Sequence, residues 1–156
     1  MKKIVFRILT GMVGLFVIAF VFAIWPTSNK VLVANDLDLQ SADLIEKGKY
    51  LSVLGDCAPC HSSDGGITYS GGAGAIESPI CNMYSPNITP DLNTGIGSYS
   101  LNDFDRALRY GIRQDGVSLY PAMPYPSYAR LADEDVIALY AYFKNGIEAI
   151  DKANVK

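Results

Sequence analysis

The 156-residue chain has one histidine, one tryptophan and three cysteines, and no acidic residue precedes Asp36. Each scarcity excludes something. A single histidine rules out an H-x-x-x-H zinc site and leaves no second imidazole for acid–base work. There is no second C-x-x-C, so a four-cysteine zinc site is excluded as well. Convincing strand patterns and internal repeats are missing, which removes the α/β setting that a thioredoxin-like dithiol needs. Lys2, Lys3, Arg7 and Lys30 supply the N-terminal charge, and without these four the formal charge falls from −3 to about −7. So acidic a body makes nucleic acid an improbable partner.

At this length the chain holds one compact core plus an appended segment. Residues 8–25 carry no charge, and about 18 residues at ~1.5 Å each form a helix of roughly 27 Å. With three cations before it, the positive-inside rule keeps the N-terminus in the cytoplasm and exports the remainder. The expectation is a membrane anchor over 1–25, a linker over 26–40, and a domain over 41–150. That arrangement implies a single-pass inner-membrane protein with its domain in the periplasm. The rival reading is a signal peptide cut after Ala23 or Ala34, which exports the domain too.

Within the domain, the stretch 41–57 reads as a helix. Asp43 and Glu46 suggest a capping box, Leu44, Ile45, Leu51 and Leu54 an apolar face, and Gly48 a close neighbour. Residues 62–99 lose periodicity but keep Tyr69, Ile76, Ile80, Met83, Tyr84, Ile88 and Ile96. So apolar a loop is expected to wrap around something. Ser100 and Asp103 predict a capped helix ending at Gly111. Pro121, Pro124 and Pro126 exclude a helix from the next segment, and a last helix runs from Asp133 to a stop at Gly146.

The chemistry lies in "CAPCH", Cys57 to His61. Two thiols at this spacing can add to the two vinyl groups of a porphyrin, and the adjacent histidine is left to ligate the iron. The pattern calls for one covalently attached haem c held by Cys57, Cys60 and His61. With no second histidine, methionine is the remaining candidate for the sixth ligand. Met1 is the initiator and Met12 lies in the apolar run. Met123, stiffened by its prolines, is preferred, and Met83 reads as a wall residue.

The segments "GKYLSVLGDCAPCH", "YSPNITPD" and "LYPAMPY" resemble the first haem domain of the cytochrome c subunit of membrane-bound alcohol, aldehyde and gluconate dehydrogenases. The resemblance covers about residues 48–146. It implies an all-α class I cytochrome c fold with long haem-wrapping loops, first and last helices crossing near Gly48 and Tyr140, and ligation by His61 and Met123. It also implies electron transfer from a dehydrogenase toward quinone or a terminal oxidase. Relatives in that family usually carry three haem motifs and this chain has one. Cys81 stands where they tend to have glycine, and Tyr99 where many have tryptophan. Ala132 occupies the usual Ser/Thr cap of the last helix, at a cost of about 1 kcal/mol.

Other residues stay open. Cys81 reads as a small buried residue, with an intermolecular disulfide or reactive thiol as the alternative. Arg106, Arg109 and Arg113 form a solvated face, or else bind haem propionates or an acidic partner. Tyr84, Asn87, Thr89 and Tyr99 are candidate propionate donors, or plain packing. "NIT" matches a glycosylation acceptor, which the following proline disfavours. The resulting expectation is a non-enzymatic, membrane-anchored electron carrier serving a respiratory dehydrogenase, an oxidase or a quinol-oxidising complex. The alternative is a haem-based small-ligand sensor or a peroxidase-like enzyme.

Overall fold

The computed structural model describes residues 2–24, 31–32, 34, 37–63, 65–72, 76–77 and 82–154. Cys81 and Ile80 fall outside these, as do residues 26–30, 33, 35 and 36 of the segment 26–40 expected to be a linker. The chain divides into two compact units, Met1–Val31 and Leu32–Lys156.

Among the described residues, the first unit holds one helix, α1, Lys2–Ile24. Its opening turns carry Lys2, Lys3 and Arg7, so the uncharged part is about 17 residues, roughly 26 Å long. A bilayer core is about 30 Å thick. Among the described residues no helix is long and apolar enough to cross a membrane. This corrects the expectation of a transmembrane helix and of a single-pass inner-membrane location.

In the second unit α2 spans Ala42–Leu54, α3 Cys57–His61, α4 Leu101–Tyr110, α5 Tyr125–Tyr128 and α6 Asp133–Ala141. α6 runs into a π-helical turn, Tyr142–Gly146. One small antiparallel ladder joins β1, Ile76–Glu77, to β2, Asn82–Met83. Helix predominates, as an all-α fold requires.

The frame of the unit is the crossing of α2 with α6. Gly48 is buried at that point because a side chain has no room there. A Cβ on it would lie 2.7 Å from the Ala138 carbonyl carbon and 2.7 Å from Tyr142 Cβ, with the Ala138 oxygen closer still. Small residues let backbones approach, and Ala138 and Ala141 are fully buried beside it. Phe104 and Leu108 of α4 complete the core with Ile137, Tyr140 and Phe143. The rings of Phe104 and Tyr140 are tilted at 5.6 Å, and Tyr69 meets Phe143 edge-on at 5.1 Å.

Helix ends follow local chemistry. At α4, Ser100 accepts from the Asp103 N–H while Asp103 accepts from the Ser100 N–H at 3.0 Å, so the capping box forms. Gly111 ends α4 with φ 65°, a conformation open to glycine at little cost. Ala132 caps α6 without a side-chain bond.

Several expectations are corrected. α2 begins after Ser41, no side chain caps it, and it stops at Leu54 instead of reaching Cys57. Leu54 and Val53 are exposed, so its buried stripe is narrower than the sequence indicates. The proline-rich segment does contain a helical turn, α5, because Pro126 sits in its first turn, where no intrahelical donor is needed.

Candidate haem-attachment site

Gly55 and Asp56 make the turn that separates α2 from α3. The Gly55 N–H donates to the Leu51 carbonyl at 2.8 Å and the Asp56 N–H to the Val53 carbonyl at 3.1 Å. Asp56 then takes φ 55°, a left-handed conformation that aspartate tolerates better than most side chains. This break redirects the chain so that one short helical stretch carries Cys57, Cys60 and His61 together. Both thiols are free of a disulfide, with Cys57 half-buried and Cys60 exposed. Burial, with Cys60 and Asp56 nearby, pushes the Cys57 thiol up to about 11.

His61 is held from two directions. Its ring Nδ1 lies 2.8 Å from the Pro86 carbonyl oxygen, an acceptor only, so Nδ1 carries the proton and donates. Its own carbonyl accepts from the Gly71 N–H at 2.8 Å. Burial holds the imidazole below its ordinary range, with the Pro86 bond acting the other way. With Nδ1 occupied by the Pro86 bond, Nε2 is the ring atom whose lone pair a metal could use. Such a donor set fits a covalent haem: two unpaired thiols within one helical turn, then an oriented imidazole. Among the described residues no group of three or more His, Cys, Asp or Glu could hold a metal ion on its own.

Met123 lies just before α5, half-buried against the core cluster. Its N–H donates to the Tyr120 carbonyl at 3.2 Å, and its carbonyl accepts from the Tyr125 N–H at 2.8 Å. At the far end of α5 the Tyr128 hydroxyl donates to the Gly55 carbonyl at 2.7 Å. The helix after Met123 is thereby tied to the turn that precedes Cys57. Met83 is half-buried on β2, paired with Ile76.

The other candidates separate. Arg109 is buried, donating to Asp105 through Nε and to Asp133 at 2.9 Å and the Leu131 carbonyl at 3.1 Å through Nη1. It belongs to a buried ion cluster joining α4 to α6, not to a solvated face. Arg113 is exposed and pairs with Asp115 at 2.6 Å. Asn87 and Thr89 are also committed elsewhere. Asn87 is only 2 % exposed, with its amide nitrogen donating to Thr94 Oγ1 at 3.0 Å and the Ile150 carbonyl at 2.7 Å. The Thr89 hydroxyl donates to Asn87 Oδ1 at 2.7 Å. So buried an amide is no glycan acceptor. Tyr84 is exposed, and the Tyr99 carbonyl accepts from the Tyr140 hydroxyl at 3.0 Å.

A family model described as "Cytochrome c" matches residues 45–146. The chain is 52 % identical over 111 residues to the gluconate 2-dehydrogenase cytochrome c subunit of Pantoea cypripedii, covering 71 % of this chain and 25 % of that protein. It is 51 % identical over 117 residues to the cytochrome c subunit of alcohol dehydrogenase (quinone) of Gluconobacter oxydans, covering 74 % and 24 %. A diheme cytochrome c-type protein of Cereibacter sphaeroides is 33 % identical over 143 residues, covering 87 % and 47 %. The chain thus spans about a quarter of the length of the two dehydrogenase subunits.

Proposed function

The chain belongs to the cytochrome c family, and from that premise we propose that it carries one haem c and transfers single electrons between a redox dehydrogenase and an acceptor. When bound, the haem supplies a one-electron iron couple. The residues of the chain do the rest. Cys57 and Cys60 hold the group by thioether bonds, which prevents its loss. His61 presents Nε2 to the iron, and the Pro86 carbonyl fixes the ring and makes it a stronger donor. Met123 would be the second residue to hold the iron, and its thioether would favour a higher potential than a second histidine.

The observation that carries this reading is the His61 imidazole, oriented by the Pro86 carbonyl, immediately after two unpaired thiols. The named functions of the relatives, oxidation of gluconate or alcohol, support a dehydrogenase as the electron donor. A quinol-oxidising complex would serve as an alternative donor, and a terminal oxidase suits the acceptor. The chain itself is an electron carrier, not the enzyme that oxidises substrate.

Two measurements test the proposal. A redox titration of the matured protein is expected to fit a single one-electron step, and two resolved steps would refute the single haem. Met123→Ala is expected to abolish the sulfur-to-iron absorption band of the oxidised form. Survival of that band would move the sixth ligand to Met83.

A further inference from the structure

Residues 147–154 lie beyond the family match, which ends at 146, and form no helix or strand. They nevertheless make long-range hydrogen bonds to residues 63–94. The Ile150 N–H donates to Thr89 Oγ1 at 3.1 Å, and its carbonyl accepts from Asn87 Nδ2 at 2.7 Å. The Lys152 N–H donates to Thr94 Oγ1 at 3.1 Å, while its ammonium donates to the Gly71 carbonyl at 2.9 Å and to Ser63 Oγ at 3.2 Å. Asn154 Oδ1 accepts from the Asn87 N–H at 2.6 Å, and its amide nitrogen donates to the Thr94 carbonyl at 3.0 Å.

These partners flank the two bonds that hold His61. Gly71, gripped by Lys152, donates its N–H to the His61 carbonyl. Asn87, gripped by Asn154, follows Pro86, whose carbonyl accepts from the imidazole. The two gripped segments touch: a Cβ on Gly71 would lie 2.6 Å from the Pro86 carbonyl carbon. A displacement of either one therefore changes the Nδ1–H···O=C geometry directly.

We propose that residues 147–154 act as a clamp on the iron-facing histidine, with Asn154 and Lys152 as positioning residues for His61. The inference rests on the haem-ligating role assigned to His61 above. Its consequence is electronic as well as mechanical. A well-held Pro86 acceptor increases imidazole basicity, and a more basic ligand stabilises the ferric state. Releasing the clamp weakens that bond and raises the reduction potential.

The test uses full-length, haem-loaded protein. Asn154→Ala changes no charge. It is expected to shift the potential upward and to speed exchange of the His61 Nδ1 proton, read by NMR, about tenfold, while the methionine–iron band persists. Asn154→Asp keeps the oxygen that accepts from the Asn87 N–H but loses the donor to the Thr94 carbonyl, and is expected to exchange more slowly than Asn154→Ala. A lower melting temperature with unchanged potential and exchange would reduce the strap to a tether and overturn the proposal, as would Asn154→Asp exchanging as fast as Asn154→Ala. Mass and absorbance of each sample establish haem attachment beforehand. A chain without haem refutes the parent reading and the clamp with it, whereas an intact haem with unaltered proton exchange refutes the clamp alone.

Discussion

Replacing Gly48 with alanine tests the helix crossing on which the second unit is built. The added methyl would sit 2.7 Å from the Ala138 carbonyl carbon and from Tyr142 Cβ, where ordinary contact begins at 3.4 Å. Neither neighbour is a flexible side-chain end, and the Ala138 oxygen is closer still, so α2 and α6 must part by more than about 0.7 Å. A gap of ~0.5–1 Å forfeits roughly a quarter to a half of the attraction across it. The surfaces affected include Val136, Ala138 and Ala141, all fully buried. Overpacking of this kind costs up to about 3 kcal/mol, offset by about 1 kcal/mol of helix propensity gained when glycine becomes alanine. The expected net loss is about 2 kcal/mol, which for a unit of this size lowers Tm by roughly 6–10 °C. Denaturant unfolding of the haem-loaded protein, followed by circular dichroism, measures it. A variant as stable as the parent, or more stable, would show that propensity wins and that the crossing is not close.

The remaining predictions concern the buried charges, the α4 cap and the sixth ligand. Arg109→Met leaves Asp105, 1 % exposed, without its partner and is expected to cost about 3–5 kcal/mol. Pairing it with Asp105→Leu should recover much of that, and a single variant as mild as a surface change would contradict the assignment. Ser100→Ala removes the α4 cap for a loss of about 1 kcal/mol in denaturant midpoint analysis. Burial pushes the Asp103 carboxyl up, but the hydroxyl and N–H of Ser100 outweigh it and hold the group below its ordinary value of 3.8. A folded value below the unfolded one means that this stabilisation is complete above the unfolded value and fades as pH falls through the folded one. The stability difference between wild type and Asp103→Asn should accordingly be constant near neutrality and vanish in acid, and a difference that persists in acid would refute it. Reduced wild-type protein is expected to bind carbon monoxide poorly at neutral pH and Met123→Ala to bind it readily. Ready binding by the wild type would favour the sensor reading.

Features written in one short window were legible in the sequence. The Ser100–Asp103 box, the Gly111 stop, the uncapped Ala132 and the close approach at Gly48 each depend on residues within a turn of one another, or on the absence of a side chain. What escaped depends on distant partners. Arg109 looks like one member of a cationic face, and only the fold brings Asp133, 24 residues on, against it. Asn87 and Thr89 sit in an irregular loop, so nothing local shows that residues 150–154 consume their hydrogen bonds. Pro86 carries no sequence signal as a histidine orienter, since its contribution is a backbone carbonyl 25 residues away. The α2–α3 break was hidden because Asp56 adopts a left-handed backbone that glycine would have advertised. At the attachment site, the motif places Cys57, Cys60 and His61 in one helical stretch by covalent adjacency, whereas the location of Met123 beside the core needs the whole chain.

Every redox property proposed for the chain requires a porphyrin joined to Cys57 and Cys60. Intact-mass measurement of the protein, matured by a cell that attaches haem c and then denatured in acid, addresses it directly. The expected spectrum shows the polypeptide plus one haem, lost when both cysteines are changed to alanine. A mass equal to the bare polypeptide would contradict the account.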